Sequence, residues 1–415
     1  NYLAGAEGKL LLDEMPLRAA MQILTTADRV DGKPVYVADS ANTATSMATG
    51  VVTSRGRIST TAGSDRPIET IVELAAAAGL RTGLVATSSV TDATPAAFAA
   101  HVNFRLCENP DLMADVTLRD IHLGHCKQHM IANGGAGSIS RQLVESPLHV
   151  ILGGGAKHFS PVAEGTNSTV EELAHSRGFR VVKTPRELAD SAPGERLLGV
   201  FAPSTLPVRL QGEDGRAAEE PRPSFLNRLH PYLGDVTLPA TMRCEPNPNH
   251  DTVPGLQQMT EVALRQLAHE NDRGFFLMIE SASIDKQSHE RKPCGSIGEV
   301  EQLNEALASA LDFAATHPRT LVMVTADHSQ AAQLIPYESL FAAYPIPTYT
   351  PGKLARIVTP EGSHMAVNYA TTNFFMAEHT GAAVPFYSNS EGIGRIPPYL
   401  QQPQVFDITR EYLGL

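Results

Sequence analysis

Carboxylates, imidazoles and one serine recur in this sequence directly after short apolar runs. Val35-Tyr36-Val37 leads into Ala38-Asp39-Ser40-Ala41-Asn42-Thr43, and Gly83-Leu84-Val85-Ala86 leads to Ser88, Asp92 and Thr94. Phe275-Phe276-Leu277-Met278-Ile279 ends in Glu280-Ser281, and Leu321-Val322-Met323-Val324 ends in Thr325-Ala326-Asp327-His328. The small residues after Ser40 can begin a helix, and a serine at a helix N-terminus meets free backbone N–H groups and the positive end of the dipole. Both favour a phosphate and stabilise a serine alkoxide. The same position suits plain capping by Asp39 or Ser40, so both uses stay open.

Other residues have the types a divalent cation requires. Asp285 and His289 are four apart in Ser283-Ile284-Asp285-Lys286-Gln287-Ser288-His289, which puts them on one face if the segment is helical. A carboxylate and an imidazole so placed suit zinc, and they equally suit a solvated surface pair. Asp327 and His328 can both reach a metal from a strand end. Glu378-His379-Thr380-Gly381 adds an imidazole that could equally be a lone loop histidine. Thr94 precedes Pro95, a natural N-cap arrangement, and Arg105 follows the helix expected from Pro95 to Val102 with nothing local to distinguish it from a surface arginine. His122, His125 and His129 flank Cys126, but that polar segment reads as an exposed loop in which Cys126 serves better as a disulfide partner.

The elements that must position these residues alternate. His149-Val150-Ile151-Leu152 adds another strand candidate, and helical stretches at Ile68 to Ala78, Val262 to Glu270 and Val300 to Ala315 lie between the apolar runs. This pattern predicts an α/β fold with a large, mostly parallel central sheet flanked by helices on both faces. In such sheets ligands bind beyond the carboxyl ends of the strands, so the polar residues there should converge on one crevice. The Pro-, Gly- and charge-rich stretch 203–223 reads as a surface excursion within a single domain.

Composition narrows the partners. With 415 residues, 42% hydrophobic and 19% charged, the chain can bury a large core, and no apolar run is long enough to span a bilayer. A formal net charge of -12 repels nucleic acid and anionic membranes. An anionic substrate therefore needs local positive charge, from metal ions or a buried arginine. Four cysteines, Cys107, Cys126, Cys244 and Cys294, lack tight zinc-site spacing. Two local disulfides are the simpler reading, and four buried thiols the alternative.

Taken in order along nearly the whole chain, VADSANTATSMATG, TDATPAAFAAHVNFR, VILGGGAKHF, FFLMIESASIDKQSHERKPCG, VTADHS and EHTG resemble the alkaline phosphatase family. The resemblance implies phosphomonoester hydrolysis of broad specificity, with Ser40 as the transiently phosphorylated nucleophile and Arg105 gripping two phosphate oxygens. It implies a first zinc on Asp285, His289 and His379, a second zinc on Asp327, His328 and Ser40, and a magnesium on Thr94 and Glu280. Asp92 lies one shell out from that magnesium. Asp92 and Lys286 match the bacterial branch that carries an Asp/Lys pair, in which the lysine binds phosphate through water. Disulfides Cys107–Cys126 and Cys244–Cys294, a periplasmic or secreted location and a homodimer follow from the same likeness.

One departure stands out. The family has a strand ending in an Asp-Gly-Met-Gly-type turn upstream of the point where this sequence starts, and its aspartate bridges the second zinc and the magnesium. Asp13, Asp28 and Asp31 lack that strand-and-glycine context, so a first strand and a metal ligand are expected to be missing. Two alternatives remain: a phosphodiesterase or sulfatase of the same superfamily, which Ser40 in its Asp-Ser-Ala setting disfavours, and a metal-depleted, non-catalytic homologue.

Overall fold

A computed structural model describes residues 2–5, 8–341, 343–344, 347 and 351–415. Five strands form an all-parallel sheet in the spatial order Phe275–Glu280, Arg81–Ser89, Val150–Gly154, Leu197–Val200, Arg180–Val182. Alternate residues along these strands enter different cores. Leu84, Ile151 and Leu198 join one apolar cluster, while Val85, Val150, Leu152 and Leu197 join another. Both faces are therefore covered, as buried parallel strands require. Leu256–Ala268 packs on one face and Ile71–Ala77 on the other, so the α/β class expected from the alternating runs is observed.

The sheet is not continuous, however. Met323–Thr325 does not join the parallel strands but pairs with Val384–Ser388 in a second, four-stranded sheet that continues through Leu17–Gln22 to Tyr399–Gln401. Between its edge and the edge formed by Phe275–Glu280 lies a cavity of about 450 Å³. Its walls include Phe276, Met278, Met323 and Val324 from the two strands, with Leu303 and Leu307 from the long helix Pro293–Thr316. Arg81–Ser89 buries every residue but its first, yet no residue of the more apolar Phe275–Glu280 is fully buried.

Two elements differ from the sequence expectation. Val35-Tyr36-Val37 is not a sheet strand: Pro34–Val35 only pairs with Thr25–Thr26, and Tyr36 is 82% exposed. Proline at the start leaves a two-residue hairpin arm where an apolar run suggested more. The helix expected from Pro95 to Val102 spans Ala93–Ala97, and Val102 instead bridges to Ile58. The 203–223 stretch contributes buried Leu206 and Ala218 and the strand Leu210–Gly212, which pairs with Cys244–Pro246. Both disulfides, Cys107–Cys126 and Cys244–Cys294, are formed. No helix among the described residues is long and apolar enough to cross a membrane.

His101 fastens the segment between Ala93–Ala97 and Arg105. Its Nδ1 faces the Ser59 carbonyl at 2.9 Å and its Nε2 faces Glu73 Oε1 at 3.1 Å. Two acceptors call for two N–H groups, hence an imidazolium. Burial opposes that proton, but Glu73 and the Ser59 carbonyl raise the His101 pKa, while His101 in turn holds Glu73 below its usual range against burial. A raised imidazole stabilises below its unfolded pKa of about 6.5 and loses that contribution as pH rises through the folded value; the depressed carboxylate contributes above about 4.3 and loses it as pH falls through its folded value. Thermal unfolding should therefore show His101→Gln costing more stability at about pH 5.5 than at about pH 9. An equal loss at both would contradict the ion pair.

Candidate active site and metal centre

Ser40 is the first residue of the helix Ser40–Thr49, and Asp39 is its N-cap. Asn42 N–H donates to Asp39 Oδ1 at 3.2 Å while Asp39 N–H donates to Asn42 Oδ1 at 2.9 Å, a reciprocal cap. Because Asp39 performs the capping, the Ser40 hydroxyl is left for other work. Its Oγ lies 2.9 Å from His328 Nε2. Asp327 Oδ2 is 3.3 Å from that same nitrogen and accepts from Thr43 Oγ1 at 3.2 Å.

Three further groups complete this end of the site. Asp285 and His289 do share a helix, Ser283–His289, and the Asp285 carboxylate lies 3.3 Å from His289 Nε2 and 3.5 Å from His379 Nε2. His289 Nδ1 bonds the Ala377 carbonyl at 2.5 Å and His379 Nδ1 bonds the Ala38 carbonyl at 2.8 Å. Each Nδ1 must then carry the proton, which leaves Nε2 with its lone pair. Those two Nε2 atoms face each other at 2.9 Å. Two lone pairs repel at that separation unless a cation stands with them. The His379 ring also stacks on His328 with centroids 3.6 Å apart. Ligand atoms of Asp285, His328 and His379 all lie within 4.8 Å of one another. Nitrogen and carboxylate donors in so small a volume suit zinc.

The ionisation of these groups follows the same field. Burial would raise the Asp285 pKa, but the surrounding imidazoles hold it well below the carboxylate range. His379 is carried upward, against burial, chiefly by Asp285. The site is built to hold positive charge, whether as protons or as a metal ion.

Phosphate-sized cationic groups gather beside it. Arg105 donates from Nη2 to Asp92 Oδ1 at 2.8 Å and from Nη1 to Asp39 Oδ2 at 3.3 Å, which fixes the plane of its fork. Lys286 Nζ contacts Asp92 Oδ2. Burial alone would raise the Asp92 pKa, yet Lys286 and then Arg105 hold it far below the usual range. Glu280 ends its strand next to Thr94, accepts from Ser88 Oγ at 3.2 Å, and is pushed up to about 8 by burial and by the charges of Asp92 and Asp327. A carboxylate that resists ionising in this place is one a hard cation would deprotonate.

Ser40, Asp92, Thr94, Arg105, Glu280, Asp285, Lys286, Asp327 and His328 line one cavity, and His289 and His379 adjoin it. The residues singled out for chemistry thus meet in space. Asp13, Asp28 and Asp31 lie elsewhere: Asp13 caps a short helix, Asp28 pairs with Arg57, and Asp31 sits in a turn at φ 56. His122 is exposed, His125 is half-buried, and His129 is buried away from the cluster. Sequence reasoning missed the link from Asp39 to Arg105. It also missed Gln330, whose Nε2 donates to Asp285 Oδ1 at 2.6 Å, and Gln402, whose Nε2 holds the Asp327 carbonyl at 2.7 Å.

A family profile described as alkaline phosphatase matches residues 2–391. The chain belongs to the alkaline phosphatase family. Streptomycin-6-phosphate phosphatase of Streptomyces griseus is 38% identical over 100% of this chain and 86% of its own length. Alkaline phosphatase of Escherichia coli K12 is 36% identical over 100% of this chain and 82% of its own. Among solved structures, alkaline phosphatase from the Antarctic bacterium TAB5 shares the fold with a TM-score of 0.67 at 20% identity, covering 99% of this chain and 93% of that one. As a member of this family the protein is a phosphoric monoester hydrolase.

If the facing imidazoles are a cation site, zinc should raise the unfolding midpoint, by on the order of 3 kcal/mol of stabilisation at about a hundredfold excess over Kd. The rise should vanish in His379→Ala. An equal zinc-induced rise in that variant would place the metal elsewhere.

Proposed function

We propose that the chain hydrolyses phosphomonoesters through a phosphoserine on Ser40, with two zinc ions and one magnesium ion as cofactors. The observation that carries this reading is the Ser40 hydroxyl standing 2.9 Å from His328 Nε2, at a helix N-terminus, beside a cluster of imidazoles and carboxylates with cation-binding geometry. Asp285, His289 and His379 would hold the first zinc. Asp327, His328 and Ser40 would hold the second, and Thr94 and Glu280 the magnesium. When bound, the cations supply charge stabilisation at the attacking and departing oxygens of an in-line displacement, which uncatalysed phosphate monoesters require by as much as about 10²¹-fold.

The remaining steps belong to the chain's own groups. Arg105, held in plane by Asp39 and Asp92, offers its other N–H donors to two phosphoryl oxygens. Lys286, anchored on Asp92, adds a point charge through water. Ser40 Oγ forms a bond to phosphorus as the bond to the alcohol oxygen breaks, and the alcohol leaves with a proton. Water then attacks phosphorus from the side the alcohol left, and Ser40 recovers its proton as inorganic phosphate forms. Two inversions give net retention.

The gap between Phe275–Glu280 and Met323–Thr325 bears on this reading. A single extended segment entering there would pair with both edges and join the two sheets. Its end would reach the space between Glu280 and Asp327, where the resemblance requires a bridging carboxylate. The disulfides support a periplasmic or secreted location, and the family likeness supports a homodimer.

Turnover of a nitrophenyl phosphate decides the central assignment: Ser40→Ala should abolish the covalent route, and unchanged turnover would refute it. Arg105→Ala should weaken inhibition by inorganic phosphate and slow turnover, at a cost on the order of 3 kcal/mol, without removing activity. An unchanged inhibition constant would speak against the arginine's role.

A further inference from the structure

The segment Gly153-Gly154-Gly155-Ala156-Lys157-His158-Phe159 has no part in the reaction described so far, yet it is packed hard against the loop that carries Asp92. A Cβ on Gly154 would lie 1.8 Å from the Ser204 carbonyl oxygen, and one on Gly155, at φ +97, would lie 2.1 Å from Ser89 Oγ. Only glycine permits this approach, which lets Val90 N–H bond the Gly154 carbonyl at 3.1 Å. The same segment delivers His158, almost wholly buried, to Glu108.

The hydrogen bonds here fix every proton. Asn109 Oδ1 accepts from Asp111 N–H at 3.0 Å, which orients the amide so that its nitrogen donates to His158 Nδ1 at 3.0 Å. His158 is then neutral with its proton on Nε2, and that nitrogen lies 3.1 Å from Glu108 Oε2. Burial and Lys157 depress its pKa to about 4, in keeping with that state. Thr91 Oγ1 donates to the same Glu108 oxygen at 2.6 Å. The main chain of Glu108 is pinned by Ser140 N–H on its carbonyl at 2.9 Å and by the neighbouring Cys107–Cys126 disulfide.

An amide oxygen would accept the Thr91 hydrogen bond and could sit as close to His158. What only a carboxylate adds is negative charge, close enough to Asp92 to be repelled by it and to Lys157 and Lys286 to be attracted. Burial and Asp92 push the Glu108 carboxyl up to about 6, so it is an anion under alkaline conditions. Lys286 is thereby set against Asp92 and Glu108, and Lys157 against Glu108.

We propose that Glu108, seated on Thr91 beside His158, is a positioning residue whose charge offsets Lys286 and so limits how tightly the site holds phosphate. The inference rests on the reading that Arg105 and Lys286 bind the phosphoryl group. Its consequence is faster release of product at the expense of phosphate affinity.

The test is calorimetric titration of inorganic phosphate into wild type and Glu108→Gln, both equilibrated with zinc and magnesium at about pH 9, where the carboxyl is ionised. Glutamine keeps the Thr91 hydrogen bond and the His158 contact and removes the charge, so phosphate should bind roughly three- to tenfold tighter, with KM falling and the unfolding midpoint unchanged. Equal or weaker phosphate binding would overturn the proposal. Should the glutamine variant fail to fold, Glu108→Ala, which leaves room for water on Thr91 and His158, is expected to tighten binding in the same direction, and a failure to do so overturns it equally. Binding is read without turnover, so the outcome is separable from that of Ser40→Ala. Undiminished phosphate binding in Arg105→Ala would instead identify a failure of the underlying reading.

Discussion

Two imidazole nitrogens face each other across 2.9 Å, and each ring has its other nitrogen committed to a main-chain carbonyl. That arrangement is repulsive unless positive charge occupies the space, and much of the site serves to maintain it. Ala377 N–H bonds the His289 carbonyl at 2.9 Å, tying the loop of His379 to the helix of Asp285. Thr380 and Ser329 bridge that loop to the one bearing His328. The Ala38 carbonyl, which holds His379, lies two residues before Ser40. Ser40 and the imidazole–carboxylate cluster are therefore positioned by the same short pieces of main chain, and a shift in one moves the other.

Charge compensation extends outward from this centre. Asp92 sits between Arg105 and Lys286, Asp39 caps the helix of Ser40 while orienting Arg105, and Glu280 lies beside Thr94 with its carboxyl held up by burial and by Asp92 and Asp327. The formal charge of -12 lies over the molecule, while Arg105 and Lys286 bring two cationic side chains into one cavity.

How much of this was legible in the sequence depended on distance along the chain. Asp285 and His289 could be paired because helical spacing brings them together, and Ser40 could be placed because an apolar run and small residues mark a helix start. Asp39 with Arg105, Gln330 with Asp285 and Glu108 with His158 are joined only by tertiary packing, and no local pattern announces them. Val35-Tyr36-Val37 had the composition of a strand, but a strand needs neighbours, and only Thr25–Thr26 pairs with it. The α/β class could be read from alternation, whereas the division into two sheets could not. Which edges meet is decided by partners far away in sequence, and among the described residues Phe275–Glu280 lacks one on its open side.

The most direct measurement is the anomalous scattering of zinc in crystals of this chain grown with the metal. A peak within coordination distance of Asp285, His289 Nε2 and His379 Nε2, with a second near Asp327, His328 and Ser40 Oγ, is the expected result. Absence of density at both positions, with the two imidazole nitrogens still in contact, would contradict a metal-dependent phosphatase site here.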